Sequence, residues 1–249
     1  MTTSGWDEVF EEDYLYFSET LLTPDRNDRE AALLVRLLGL PAQAEVLDAP
    51  CGHGRIANRL ARMGYRVTGL DKSRPFLERA RREAEEWGGQ VDYVEGDVRR
   101  LPWTERFDAV INWFTSFGYF DDEENRLVLR EAHRALRPGG RLVVEMIARD
   151  RVVQQVAANG GEWVGVVERD GNLLVDRTRF DVLTSRVETE RLLHREGRVR
   201  RVRYSVRAYT FPELRDELIR VGFREVHGFG EDGSPLTVCS RRMIVVAEK

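Results

Sequence analysis

Along residues 45–147 short apolar runs alternate with stretches whose apolar positions recur every three or four residues. "AEVLDA", "YRVTGLD", "VDYVEGD", "FDAVINWF" and "RLVVEMI" are apolar on successive positions and too short for helices, so they predict buried strands. Between them, "GRIANRLARMG", closed by Gly64, "SRPFLERARREAEEWGG" and "DDEENRLVLREAHRALRPGG" carry helical periodicity. Ser73 is placed to cap the second of these, with Pro75 in its first turn, and the third has acids at its start and a Pro-Gly-Gly stop. An earlier helix, Asp25 to Leu38, ends at Gly39 and Pro41. Strand and helix in this order predict a mostly parallel sheet covered on both faces.

The period changes near residue 160. "EWVGVVERDGNLLVDRTRFDVLTSRVETERLLHREGRVRRVRYSVRAYT" alternates with period two, and turn signals stand at Asp170-Gly171, Thr184-Ser185 and Glu196-Gly197. This predicts three or four antiparallel strands with one wet face, inserted over residues 160–210. Thr210-Phe211-Pro212-Glu213 then reads as a capping box before "ELRDELIRVG", and "FREVHGFG" and "RRMIVVAEK" read as a terminal hairpin. Residues 1–249 form one α/β domain in this reading, and 1–40 form an N-terminal helical cap. Trp6, Phe10, Tyr14, Tyr16 and Phe17 give that cap an aromatic character, and Phe10, Tyr14 and Phe17 share a helical face. The segment reads equally as a packed amphipathic helix and as a lid.

Composition narrows the classes. No apolar run approaches the ~20 residues that span a bilayer, and the acidic, aromatic start is unlike a signal peptide, so a cytoplasmic protein without a membrane partner is expected. Two cysteines, Cys51 and Cys239, and four scattered histidines suit neither a disulfide framework nor a metal site, so no metal is expected. A net charge of −4 provides no general field for nucleic acid. The arginine-rich run "HREGRVRRVRYSVRAY" is a local exception, which reads as an RNA contact or as a hairpin with a solvated face.

Chemistry concentrates at the predicted strand ends. In "EVLDAPCGHGRIA" a strand ends at Asp48, and Gly52 and Gly54 let the backbone pass close to a ligand before a helix begins. Gly52 to Ala57 also fits the G-x-G-x-x-A pattern of dinucleotide enzymes. A pyrophosphate, however, wants helix-end N–H groups rather than the Asp48 carboxylate. Asp71 ends the second strand, where a carboxylate can accept from ribose hydroxyls, and Asp97 follows the third. All lie on the carboxyl edge of the sheet, where ligands of open α/β folds bind.

In this order, "VLDAPCGHG", "VTGLDKS", "EGDVRRLPW", "FDAVINWFTSFGYF" and "LRPGGRLVVEM" resemble the motifs of the class I S-adenosylmethionine-dependent methyltransferases over most of the chain. The inserted sheet resembles the small-molecule branch of that family, which includes sugar N-methyltransferases. The resemblance implies a Rossmann-like seven-stranded sheet with an antiparallel C-terminal hairpin, S-adenosyl-L-methionine as cofactor, and a monomer or homodimer acting on a small-molecule acceptor. It implies that Asp48, Ala49, Pro50, Cys51, Gly52 and Gly54 form the loop for the methionine part and ribose. Asp71 then holds the ribose hydroxyls, with Lys72 and Ser73 beside the adenine. Asp97 accepts from the adenine amino group, the Val98 backbone reads the ring edge, and Asn112 and Trp113 line the path to the methyl group. Pro50 departs from the glycine common at its position and removes one N–H donor.

Methyl transfer needs alignment and a dry site more than a base. No residue of the sequence stands out as a general base, and no catalytic residue is assigned. Tyr14, Tyr16, Phe117, Tyr119 and Tyr209 are the candidates for the acceptor pocket, with Phe114 and Phe120 as further walls. Glu145 faces either the active site or the interior. Transfer to nitrogen or oxygen of a small molecule is the expected function, with tRNA methylation and cofactor binding without turnover as the alternatives.

Overall fold

The computed structural model describes residues 9–249. Trp6 and the beginning of the predicted cap lie outside them. Two helices come first, α1 (Glu12–Ser18) and α2 (Pro24–Leu38). Thr23 caps α2 by accepting from the Arg26 amide, and Gly39 ends it in the left-handed conformation. The α/β succession follows: β1 (Glu45–Asp48), α3 (Ala57–Arg62), β2 (Arg66–Asp71), α4 (Arg74–Glu86), β3 (Asp92–Glu95), β4 (Phe107–Asn112), α5 (Asp122–Ala135) and β5 (Leu136–Ile147). Helix α6 (Arg149–Ala158) leads into β6 (Trp163–Arg169), β7 (Asn172–Asp181), β8 (Arg186–Arg195) and β9 (Arg198–Arg207). Helix α7 (Phe211–Arg220), β10 (Arg224–Phe229) and β11 (Arg242–Glu248) complete the chain.

Seven strands form one sheet in the order β10-β11-β5-β4-β1-β2-β3. β11 pairs antiparallel with both β5 and β10, and the other pairings are parallel. Alternation along each strand divides the core. Val46, Ile111, Val143 and Ile244 pack with Leu34, Leu60 and Leu77 of α2, α3 and α4 on one face. Leu47, Val110, Val144 and Val245 pack with Leu129, Leu214 and Leu218 of α5 and α7 on the other. The chain reverses its direction of travel across the sheet between β1 and β4, so the crevice at their carboxyl ends is the natural ligand site.

Strands β6 to β9 form a separate antiparallel sheet in sequential order. Its inner face holds Leu174, Leu193 and Val202 against Phe17 of α1. Its outer face is less polar than the sequence suggests, because Val164, Val166 and Val199 are exposed there. The capping box at Thr210 forms as read, with Glu213 returning to the Thr210 amide. Three local expectations change. Ser73 stands at the N-cap of α4 but its side chain makes no cap bond. Helix α3 begins only at Ala57, later than the run from Gly54 suggests, while Gly64 closes it after the Met63 C-cap at φ +91°. Helix α6 has no counterpart in the sequence reading, since only Val152 and Val156 of its ten residues are buried.

Candidate functional site

At the carboxyl edge the β1–α3 loop crosses the end of β2. The Asp71 carboxylate accepts the Gly52 amide at 2.8 Å through one oxygen and the Ser73 amide at 2.8 Å through the other. A carboxylate offers about four acceptor sites, so the group keeps capacity for a ligand. Gly52 has φ +54°, and an added Cβ there meets nothing nearer than Phe76 at 4.0 Å. Gly54 is glycine for another reason: at φ +78° a Cβ would stand 2.3 Å from the Tyr93 hydroxyl and 2.8 Å from Ala80. One glycine opens the loop toward a ligand, while the other lets α3 pack against β3 and α4. The Ala49–Pro50 peptide is cis.

The charges here are shaped by burial. Asp48 is pushed up to about 7, chiefly by desolvation; Arg55 opposes this, and Asp71 adds to it. Burial also raises Asp71 against the hydrogen bonds of the Ser73, Gly52 and Lys72 amides. His53 falls to about 3 through burial, with Arg79 and Arg55 pushing the same way, so it is neutral at physiological pH. Asp97 lies below its ordinary value because Arg99 clamps it, donating to one carboxylate oxygen from its backbone N at 2.8 Å and to the other from Nη2 at 2.6 Å. Arg99 reaches on to Glu124 and lies over the Phe120 ring.

A cavity of about 450 Å³ begins at Asp71, Lys72, Asp97 and Val98, passes Asp48, Pro50, Cys51 and Gly52, and ends among aromatic rings. This is an ordinary size for a small-molecule site. Phe10 stands edge-on to Tyr14 at 5.3 Å and to Tyr119 at 5.5 Å, and Tyr14 lies 5.9 Å from Phe76. Trp113, Phe114, Ser116 and Phe120 close the other side. Phe114 and Thr115 both have positive φ, 62° and 55°, which costs β-carbon residues energy and requires a restraint. Glu145 supplies it. Its carboxylate accepts the Phe114 amide at 2.6 Å and Nη2 of Arg242 at 2.7 Å, and Arg242 also donates to Thr115 Oγ1 at 2.7 Å. Glu145 therefore belongs to the hydrogen-bonded interior and shapes the site from behind.

The structure brings together Asp48, Pro50, Cys51, Gly52, Asp71, Lys72, Asp97, Val98, Trp113, Tyr14 and Tyr119 around one cavity. It places others elsewhere. Tyr14 and Tyr16 lie about 200° apart on a helix, so they cannot share a wall. Tyr16 instead donates to the Arg169 carbonyl at 3.0 Å and is stacked by Arg169 and Arg195, docking α1 onto the inserted sheet. Phe117 and Tyr209 pack on each other in the main core, their rings 5.5 Å apart. Asn112 alternates with Trp113 and points to the α5 side, where its Nδ2 donates to the Ala49 carbonyl. Ala49 and Gly54 brace the loop without lining the cavity.

Several contributors were not picked out from the sequence. Arg55 lines the cavity and donates to Glu30 at 2.6 Å and Asn27 at 3.0 Å, and Glu30 accepts the Trp113 indole N–H at 2.8 Å. Phe76, buried on α4, forms part of the wall. The basic run on β9 is largely engaged with acids: Arg200 with Glu11, and Arg201 and Arg203 with Glu190. Among the described residues no cluster of possible metal ligands occurs, and no helix is long and apolar enough to cross a membrane.

Residues 46–140 match the family model of the methyltransferase domain. Over 106 residues the chain is 39% identical to the demethylmenaquinone methyltransferase of Thermus thermophilus, which covers 41% of this chain and 47% of that protein. It is 28% identical to a cypemycin N-terminal methyltransferase from Streptomyces over 82% of both chains. The chain spans about half the length of the quinone-pathway relatives it matches. Among solved structures, the CcbJ methyltransferase of Streptomyces caelestis superposes with a TM-score of 0.76 at 27% identity, covering 90% of this chain and 89% of that one. An S-adenosylmethionine-dependent methyltransferase from Clostridium acetobutylicum shares the fold, with a TM-score of 0.80 at 15% identity over 94% and 97% of the two chains. The matched segment contains β1 to β4 and their carboxyl-edge loops, so the sheet and the crevice described above lie largely within the part of the chain that is similar to the methyltransferase domain. Over most of its length the chain has the fold of such an S-adenosylmethionine-dependent methyltransferase, joined to the inserted four-stranded sheet.

Proposed function

We propose that this chain transfers the methyl group of S-adenosylmethionine to a nitrogen or oxygen of a small-molecule acceptor. The observation that carries this reading is the continuity of one cavity from the carboxylates at the ends of β2 and β3 to the aromatic rings of α1 and the β4–α5 loop.

The residues fit the cofactor. Asp71 keeps acceptor capacity for ribose hydroxyls, Asp97 and Val98 line the same cavity and suit the adenine edge, and the loop around Pro50 to Gly52 suits the methionine part. Asp48 and the aromatic walls tolerate a cationic sulfonium. When bound, the cofactor supplies an activated methyl group. The chain supplies orientation through Trp113, Phe114 and Tyr14 and a wall that excludes water. His53, neutral and with its pKa near 3, is a poor proton acceptor, and burial raises the phenols of Tyr14 and Tyr119. These groups suit positioning better than proton abstraction. The relatives named for demethylmenaquinone and for ubiquinone biosynthesis support a small acceptor, as does the pairing of the β9 arginines with Glu11 and Glu190.

The test is release of S-adenosylhomocysteine over a panel of small amines, phenols and acids, with transfer RNA as a further arm. Turnover confined to small molecules is expected. Turnover of RNA alone, or cofactor binding with no turnover on any acceptor, would overturn the reading.

A further inference from the structure

The loop after β3 is pinned at both ends. At its start the Gly96 amide donates to the Asp71 carbonyl at 3.0 Å, and farther on the Leu101 amide donates to Glu131 of α5 at 2.7 Å. Between them Arg99 folds back on Asp97. Its backbone N donates to Oδ1 at 2.8 Å, its Nε to Oδ1 and Oδ2 at 3.0 and 3.1 Å, and its Nη2 to Oδ2 at 2.6 Å. The guanidinium is itself held: Nη1 donates to Glu124 of α5 at 2.6 Å, and Cζ lies 4.4 Å from the centre of the Phe120 ring.

Stability does not account for this clamp. The Asp97 and Arg99 side chains keep 34% and 26% of their surface, and ion pairs this exposed contribute little. Its effect is on aim. A carboxylate has about four acceptor sites, and the backbone N, Nε and Nη2 of Arg99 take up most of them. What remains is fixed in direction, because Glu124 and Phe120 hold Arg99 in turn. Asp97 and Val98 both line the cavity, and among the described residues the Val98 amide has no partner. The wall thus offers an acceptor beside a donor. A 6-amino purine presents the matching edge, a donor at the amino group beside an acceptor at N1. A 6-oxo purine presents the reverse, a carbonyl oxygen beside N1–H.

We propose that Arg99 is a positioning residue that selects the purine of the cofactor: by locking the Asp97 carboxylate, it keeps that group from turning to the N1–H of a 6-oxo ring. This rests on the methyltransferase reading and specifies how its cofactor end discriminates. A mobile carboxylate accepts from whichever N–H is offered, so it rejects the wrong purine weakly. A locked one leaves the 6-oxo ring with two mismatches, its carbonyl oxygen against the carboxylate and its N1–H against the Val98 N–H.

The test compares S-adenosylhomocysteine with S-inosylhomocysteine, its 6-oxo counterpart, by competition calorimetry on the full chain. The wild type is expected to prefer the adenine ligand ~100-fold, from two mismatched contacts of about tenfold each. Arg99→Met is expected to reduce that preference about tenfold, weakening the adenine ligand and leaving the 6-oxo ligand unchanged or tighter. Glu124→Gln, which loosens Arg99 without touching Asp97, is expected to move the preference the same way by a smaller factor, and it decides the matter if Arg99→Met does not fold. A merely structural role would weaken both ligands alike. That result, a wild type that does not discriminate, or an unchanged preference in the variants would overturn the proposal. Failure of S-adenosylhomocysteine to bind the wild type at all would instead overturn the methyltransferase reading beneath it.

Discussion

The Asp71 carboxylate accepts the Gly52 amide at 2.8 Å, so the acid that ends β2 holds in place the loop that ends β1. The two elements that would grip the cofactor are thus a single unit. Asp71→Ala removes both the loop restraint and a charged acceptor for the ligand. Hydrogen bonds to charged groups contribute roughly 1.5–3 kcal/mol, so S-adenosylmethionine affinity should fall about 10- to 100-fold, read by calorimetry. Unchanged affinity would remove Asp71 from the site.

The two loop glycines should separate on substitution. Gly54→Ala drives a Cβ into Tyr93 and Ala80 and should destabilise the fold by roughly 2–4 kcal/mol in urea unfolding. Gly52→Ala has open space around it and should cost only about 1–2 kcal/mol of backbone strain. Its larger effect should be on cofactor binding. Equal losses of stability would contradict the packing account.

The β1 acid predicts a pH dependence. Asp48 titrates at about 7 in the folded protein, above its ordinary 3.8, so the native state holds a proton that the unfolded chain has lost between those values. Its contribution to stability is therefore greatest below about 4 and declines as pH rises through 7. A cationic cofactor favours the carboxylate, so binding should release a proton and strengthen from pH 6 to pH 8. Asp48→Asn should flatten both trends. Calorimetry in buffers of different ionisation enthalpy measures the proton directly.

Glu145 and Arg242 act through Phe114. Arg242→Met strands a buried carboxylate and should cost roughly 3–5 kcal/mol, whereas replacing both residues with apolar ones should cost less than the two single changes combined. A double-mutant cycle by urea unfolding checks this. Additive losses would mean that the pair is not coupled.

Much of this architecture was legible because strands covered on both faces write themselves as continuous apolar runs, as β1, β4 and the apolar part of β5 do. The acids at strand ends were legible for the same reason, since each follows directly on its run. The acceptor side was harder. Tyr14 and Tyr16 look alike in sequence and are separated only by helix geometry. Phe117 and Tyr119 part company because the chain turns at Gly118, whose carbonyl accepts the Arg207 amide at 2.8 Å. Arg55 and Glu30, 25 positions apart, read as ordinary solvated charges on helices. Arg242 meets Glu145 only because β11 runs antiparallel beside β5, a pairing that local pattern does not encode.

The central claim is that this cavity binds S-adenosylmethionine through the ends of β1 and β2, and titration calorimetry tests it most directly. The account predicts saturable one-site binding to the wild-type chain, weakened at least tenfold in Asp71→Ala while the fold is kept. No heat of binding at millimolar S-adenosylmethionine, or equal affinity in the two proteins, would contradict it.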